Sequence, residues 1–258
     1  MIKLKSPKEI ELMRLAGRIT AGARALAGEM AVAGMKTKEI DGAVHSFIVS
    51  KGARPAFLNY GGFPASVCIS INEEVIHGIP GNRRLRDGDI VSMDVGAAKD
   101  GFIGDCADTF IVGRASEEAV RLVEATRRCF FEALRFARPG FRVSDISSAV
   151  QGCAEMSGFS VVREFVGHGV GAKLHEDPSV PNFVDSPRKG PDPRIMRGMT
   201  IAIEPMVNAG GYAVATKKDR WTVITNDGSL SAHFENTILI TDGEPEILTV
   251  TGEVRDGA

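Results

Sequence analysis

The run IVSMDVGAAKDGFIGDCADTFIV, residues 90–112, leaves this chain little conformational choice. Two stretches rich in β-branched and apolar residues flank Lys99-Asp100-Gly101, a turn signal, so they are predicted to fold back as an antiparallel hairpin. A turn centred on 99 and 100 would set Asp94 directly opposite Asp105. A turn centred on 100 and 101 would leave the pair on a diagonal, and in either case their Cβ atoms lie about 5–8 Å apart. Carboxylates that close repel unless a cation lies between them, and Asp108 adds further negative charge, so divalent metal is a natural counter-charge. Taken alone, the same residues read more simply as a solvated acidic turn, because surface turns are rich in Asp.

Around this hairpin the chain repeats itself in outline. Ser6-Pro7-Lys8-Glu9 is a capping box with proline at the first helical position. Ile10, Met13, Ala16, Ala23, Leu26, Ala27 and Met30 follow at helical spacing, which predicts a helix over about 7–32. Gly34 should end it, Thr37 should cap a second helix through the Ile40–Val49 region, and Gly52 should close that one. After Ser116 the order returns: a helix over about 117–137 stops before Pro139-Gly140, and another runs from near Ser144 to near Gly158. Two halves, about 1–112 and 113–258, each read α-α-β-β. The expectation is one α+β domain over 1–258, pseudo-symmetric, with a central antiparallel sheet covered by two pairs of helices.

Outside the hairpin, chemistry-bearing residues sit where regular structure breaks or where charge meets an apolar strand. PAFLNYGGFPA carries Phe57, Tyr60 and Phe63 in a glycine-rich loop, a satellite core or a pocket wall in equal measure. His77 precedes Gly78 and Pro80, whereas His45 lies mid-helix and reads as structural. SVVREFV is a strand candidate leading into GHGVGAKLHEDP, where Gly167, Gly169 and Gly171 point to a loop around His168, with His175 seven residues on. Residues 178–198 hold five prolines, which predicts a surface loop. In MTIAIEPMVN, Glu204 shares a face with Ala202 and Met206 and needs a partner. WTVITNDGSLSAHFENTILIT predicts a hairpin through Asn226-Asp227-Gly228, with Glu235 entering an apolar strand and His233 a rim or supporting group two residues before it.

Asp94, Asp105, His168, Glu204 and Glu235 together form an oxygen-rich set with one imidazole, suited to two divalent ions. Such a pair can lower the pKa of a shared water enough to supply hydroxide at neutral pH, which favours hydrolysis. Cys68, Cys106, Cys129 and Cys153 are widely spaced without a CxxC pair, arguing against a zinc knuckle or disulfide framework. Lys and Arg total 31 against 33 Asp and Glu, without long runs of one sign, so nothing suggests nucleic acid or an anionic membrane as partner. No stretch approaches the roughly 20 apolar residues of a membrane span, and a cytoplasmic location is the default expectation.

The segments SVCISINEEVIHGIPG, DVGAAKDGFIGDCADTF, GHGVGAKLHEDP, IAIEPM and DGSLSAHFENTILIT resemble, in order and across essentially the whole chain, those of short bacterial type I methionine aminopeptidases. The resemblance implies the pita-bread fold and a dinuclear site of Asp94, Asp105, His168, Glu204 and Glu235, with Asp105 and Glu235 bridging. It implies water activated between Co, Mn, Fe or Zn ions, with Glu204 shuttling the proton to the leaving amine. His175 would stabilise the oxyanion and His77 would bind backbone beyond the cleaved bond. The initiator methionine would enter a slot lined by Phe57, Tyr60, Phe63, Cys68, Leu174 and Trp221. Nascent polypeptides near the ribosome would be the substrates, preferably with a small second residue, and the enzyme a monomer. Three departures stand out. Tyr60-Gly61-Gly62-Phe63-Pro64 lacks the imidazole and second tyrosine often found in that loop, Cys106-Ala107 replaces small hydroxyl residues, and Pro187–Ile195 looks longer than usual. Rival readings are an Xaa-Pro aminopeptidase or prolidase, which usually carries an extra N-terminal domain for which a helix beginning at Ser6 leaves no room, and a metal-free binding module.

Overall fold

The computed structural model describes residues 1–185 and 190–251. In chain order the elements are α1 (Pro7–Glu29), α2 (Thr37–Ser50), β1 (Arg54–Pro55), a 3-10 turn (Tyr60–Gly62), β2 (Val67–Ile71), β3 (Glu74–Ile76), β4 (Ile90–Lys99) and β5 (Phe102–Ile111). The second half follows with α3 (Glu117–Leu134), α4 (Val143–Met156), β6 (Ser160–Val161), β7 (Gly167–Gly169), β8 (Glu176–Val180), β9 (Thr200–Ile203) and β10 (Met206–Asn208). β11 (Val214–Thr216), β12 (Val223–Thr225), β13 (Ser231–His233), β14 (Glu235–Leu239) and β15 (Glu246–Ile247) complete it.

Local chemistry accounts for the helices. The Ser6 hydroxyl accepts from the Glu9 amide while the Glu9 carboxylate accepts from the Ser6 amide at 2.7 Å, so the predicted capping box forms and starts α1 at Pro7. The helix ends at Glu29 rather than near 32, because the Gly34 amide leaves to pair with the Leu85 carbonyl. Thr37 does not cap α2. Lys36 takes the capping position, its amide held by the Glu39 carboxylate at 3.1 Å, and the Thr37 hydroxyl instead accepts from the Gly81 amide at 2.8 Å. α3 is capped by Ser116 but stops at Leu134, three residues short of expectation. His45 is structural as expected, bonded through Nδ1 to Ser66 at 2.9 Å.

Among the described residues a nine-stranded sheet runs β1-β4-β5-β14-β9-β7-β8, with β2 beside β4 and β15 beside β14, and its strands pair antiparallel. Ile40, Ile48, Val67, Met93 and Val95 form one core with α1 and α2, and Leu122, Phe130, Ile146, Ile201 and Ile238 form the other with α3 and α4. Each such side chain contributes about 1.5–3 kcal/mol by leaving water. The helices take one face of the sheet: Arg24 of α1 bonds Asn236 and Arg127 of α3 pairs with Asp108. Asp108 therefore points away from Asp94 and Asp105, and the sequence reading that added it to their charge is corrected.

The β4–β5 hairpin turns on Asp100 and Gly101, at φ +49° and +85°. Lys99 faces Phe102, so the second of the two possible registers holds: Asp94 lies opposite Ala107, Asp105 opposite Gly96, and the aspartates are diagonal neighbours on one face. Three further expectations fail where distant pairing overrides local signal. SVVREFV is a strand only over Ser160–Val161. His168 lies in a strand, not a loop; its glycines are needed because a Cβ on Gly169 would sit 2.3 Å from the Asp177 carbonyl oxygen. Residues around Asn226-Asp227-Gly228 turn but make no hairpin, since β12 pairs with β3 and β11 while β13 pairs with β10. The proposed surface loop 178–198 includes part of β8 and the buried Asn182 and Ile195. Of the Pro187–Ile195 insertion, 187–189 lie outside the described residues.

Candidate metal centre and substrate cleft

The open face of the sheet collects ligand-type side chains from five consecutive strands. In sheet order these are Asp94 on β4, Asp105 on β5, Glu235 on β14, Glu204 just beyond β9, and His168 on β7. Ala107 sits between Asp94 and Glu235, opposite both, and its methyl leaves the space between the two carboxylates open. Pro205 breaks the strand after Glu204, which places that carboxylate at the end of β9 beside Glu235 rather than within a continuous run.

The cluster is tight. Ligand atoms of Asp105, His168 and Glu235 all lie within 4.8 Å of one another. Nε2 of His168 is 3.4 Å from Glu204 Oε1 and 3.8 Å from Asp105 Oδ2. The His168 Nδ1 donates to the Gly169 carbonyl at 3.0 Å, which turns the Nε2 lone pair toward the carboxylates, the tautomer a metal ligand needs. Burial raises every carboxyl: Asp94 to about 7, and Asp105, Glu204 and Glu235 well above the ordinary range, their mutual repulsion adding to the last three. Burial pushes His168 down to about 4.

Asp94 Oδ1, Asp105 Oδ1 and Glu235 Oε1 are buried acceptors without a hydrogen-bond partner. Unsatisfied buried carboxylate oxygens are costly, and here they converge on one point. The donor set of carboxylates with one neutral imidazole fits hard-to-borderline divalent cations. The residues present therefore fit a metal centre.

Supporting residues escaped the sequence reading. Thr237 Oγ1 accepts from the Asp105 amide at 3.1 Å and donates to the Asp105 carbonyl at 2.8 Å, locking that residue's backbone. Asn182 donates to the Glu204 carbonyl at 2.9 Å. Neither carries a sequence signal, one lying in an apolar strand and the other in the proline-rich segment. Cys106, where the resemblance raised a missing hydrogen bond, has its thiol pushed up to about 12 by burial.

Beside the cluster lies a cleft walled by Phe57, Tyr60, Phe63, Cys68, Leu174 and Trp221, the six residues assigned to the slot from sequence. Slot and cluster share one cleft, whose volume is about 190 Å³, below the roughly 300–1,000 Å³ of drug-sized sites. Phe63 and Trp221 meet edge to face at 5.2 Å. His175 is at the mouth, its Nδ1 2.8 Å from the Tyr60 hydroxyl and its ring 4.2 Å from that of His168. His77, in a left-handed conformation at φ +58°, stands edge-on to Phe165 at 5.7 Å and to Trp221 at 6.4 Å. Burial lowers its pKa to about 4. Ile76, Phe165 and Val166 also line the cleft. Phe165 was hidden because its segment reads as a strand.

Comparison with known proteins gives the same picture. The pattern of Metallopeptidase family M24 matches residues 11–242. A methionine aminopeptidase of Clostridium perfringens is 52% identical over 250 residues, spanning 97% of this chain and 99% of its own. The crystal structure of methionine aminopeptidase from Thermotoga maritima superposes with a TM-score of 0.93 at 44% identity, covering 97% of this chain and all of that one. A prolidase from Pyrococcus furiosus shares the fold at 24% identity and a TM-score of 0.78, and this chain covers 66% of it. These neighbours have the pita-bread fold that the sequence resemblance implied. The chain thus belongs to metallopeptidase family M24, on its methionine aminopeptidase branch.

Proposed function

We propose that Asp94, Asp105, His168, Glu204 and Glu235 hold two divalent cations, Asp105 and Glu235 bridging them, in a single catalytic domain that removes the initiator methionine from polypeptides. The chain is a metal-dependent methionyl aminopeptidase; the residue roles, the cation number and the substrate details are the proposal. Bound cations would polarise the scissile carbonyl and make a water nucleophilic at neutral pH. Co, Mn, Fe and Zn all suit the ligands.

The protein's own groups do the rest. The apolar slot takes the methionine side chain, whose thioether gains roughly 0.3–1.5 kcal/mol from each aromatic wall it touches. His175 Nδ1 is 2.8 Å from the Tyr60 hydroxyl; in the tautomer that accepts from that hydroxyl the imidazole hydrogen is on Nε2, free to donate to the scissile carbonyl oxygen as charge develops there. Glu204, its pKa raised by burial, accepts a proton at its carboxylate and returns it to the leaving amine. His77 donates to substrate backbone past the cleaved bond. Its edge-on setting against Phe165 and Trp221 narrows that subsite, favouring a small second residue. Nascent chains near the ribosome are the natural substrates, in the cytoplasm, with the enzyme acting as a monomer. Among the described residues no helix is long and apolar enough to cross a membrane.

The observation that carries this reading is the convergence of five ligand-type residues, three of them with orphaned carboxylate oxygens, at the end of an aromatic slot. The test is release of methionine from Met-Gly-Met-Met and Met-Leu-Met-Met after chelation and single-metal re-addition. Metal-restored cleavage of the glycine peptide alone is expected. Cleavage of neither, with activity on Xaa-Pro peptides, would overturn it.

A further inference from the structure

His233 is 2% exposed, yet its Nε2 has no hydrogen-bond partner. The atom lies 3.9 Å from Glu204 Oε2 and 3.9 Å from Glu235 Oε2, about one ångström beyond hydrogen-bond length from each. A buried ring nitrogen left without a partner costs roughly 1–3 kcal/mol, so a fold that buries one beside two carboxylates has a use for it. The ring is also anchored. The His233 amide donates to Thr109 Oγ1 at 2.9 Å, that hydroxyl donates back to the His233 carbonyl at 2.8 Å, and Ser92 bonds the same hydroxyl at 2.8 Å. β13 pairing sets His233 against Met206, at the start of the strand that follows Glu204-Pro205. The imidazole is thus fixed from its own backbone and aimed between two of the proposed ligands.

We infer that His233 is a positioning residue whose Nε2–H donates to the Glu204–Glu235 carboxylate pair and fixes the orientation in which those carboxylates receive cations. A carboxylate oxygen holding such a donor has its remaining lone pairs directed at the metal, and its side chain loses no rotamer freedom on binding. The role differs from that of His168, whose Nδ1 is taken by a carbonyl and whose Nε2 faces the cluster as an acceptor. It rests on the ligand assignment proposed above.

The experiment separates the two. Calorimetric titration of chelator-stripped protein with Mn(II) alone, without substrate, compares wild type with His233→Leu, which keeps bulk without a donor, and His233→Gln, which restores an N–H of similar reach. His233→Asn, with an amide too short to span the gap, stands in if the leucine variant does not fold. The expected result is a loss of affinity of about 10- to 100-fold in His233→Leu or His233→Asn. His233→Gln should bind within about threefold of wild type and give an unchanged Co(II) visible spectrum, with urea midpoints of the stripped variants close to one another. Wild-type affinity in His233→Leu would overturn the inference while leaving the ligand set standing. Equal weakening in the leucine and glutamine variants would overturn it in favour of direct ligation by the imidazole. Wild-type protein that takes up no Mn(II) would defeat the ligand assignment itself.

Discussion

The two halves of the molecule present their ligands by different means. Asp94 and Asp105 stand on one unbroken hairpin of two ten-residue strands, and a single two-residue turn sets their register. His168, Glu204 and Glu235 stand on strands of three, four and five residues or at their ends, brought together from a span of 68 positions. The register of the first arrangement is set locally by its turn, although Gly104 also lets α1 approach, since a Cβ there would sit 2.8 Å from Gly17 Cα. The second depends on non-local pairing and on glycines such as Gly169 that let backbones meet. The hairpin turn should therefore tolerate backbone changes that Gly169 does not, while the proposed ligand set needs both regions to hold metal.

The sharpest way to break that symmetry of need is to remove one bridging ligand from each half. Asp105→Ala and Glu235→Ala should each abolish metal binding and lower turnover by at least about 10³-fold, because each would remove a carboxylate proposed to bridge the metal centre. His77→Ala and His175→Ala should keep the metal and lose roughly 10²-fold in rate, the usual cost of a lost transition-state donor. Metal content of the four purified proteins decides it. Full occupancy in Asp105→Ala would mean that the second half holds the cations alone.

Backbone tolerance comes next in size. Gly169→Ala drives a methyl to 2.3 Å from the Asp177 carbonyl oxygen and 2.9 Å from that of Glu176, both in the backbone and unable to swing aside. A loss of about 2–4 kcal/mol is expected in urea unfolding. Gly101→Asn, in the hairpin turn at φ +85° with nothing within 4 Å of the new Cβ, should cost about 1 kcal/mol or less, since Asn tolerates that region. Equal losses at the two positions would erase the contrast between the halves.

The same contrast explains what could be read without coordinates. The hairpin, the capping box at Ser6 and the helix pairs were legible because each is decided within a few residues. All five ligand candidates could be named, since a carboxylate in an apolar strand and a histidine among glycines are visible in a linear text, whereas the six slot residues came as a set only from the resemblance to methionine aminopeptidases. The pairing of Asn226-Asp227-Gly228 was not legible, because Val223 finds Ile76 and Ala232 finds Val207 from far along the chain. His168 was taken for a loop residue because a glycine needed for close approach looks the same as one needed for a turn. Asn182, Thr237 and Phe165 act through positions that only the folded sheet creates.

Protonation gives a smaller effect that probes both halves together. In chelated protein the buried carboxyls hold protons that the unfolded chain would release near pH 4: Asp94 is raised to about 7, and burial pushes Asp105, Glu204 and Glu235 in the same direction. Between pH 7 and 8 the native state thus binds more protons than the unfolded one, so stability falls as pH rises. His77, His168 and His233 are pushed down to about 4, 4 and 3. They are neutral in the native state across that window and mostly so in the unfolded one, so their opposing contribution falls mainly at lower pH. The stripped protein should lose stability between pH 7 and 8 by urea unfolding, and the metal-loaded protein should not show this slope. A stripped protein that gains stability over that unit would mean the carboxyls are already ionised.

The smallest effect sharpens the boundary of the site within the hairpin itself. Asp108 is only three residues from Asp105, yet it faces the helices and accepts from Arg127 at 2.7 and 3.0 Å and from the Thr109 amide at 2.9 Å. Arg127 is half exposed, so solvent screens the pair and its loss should cost about 1 kcal/mol or less. Asp108→Asn should accordingly shift the urea midpoint slightly and leave metal affinity and methionine release at wild-type values. A fall in metal affinity comparable to that of Asp105→Ala would mean that charge is shared through the sheet, and that which face of the hairpin an aspartate occupies matters less than its nearness in sequence.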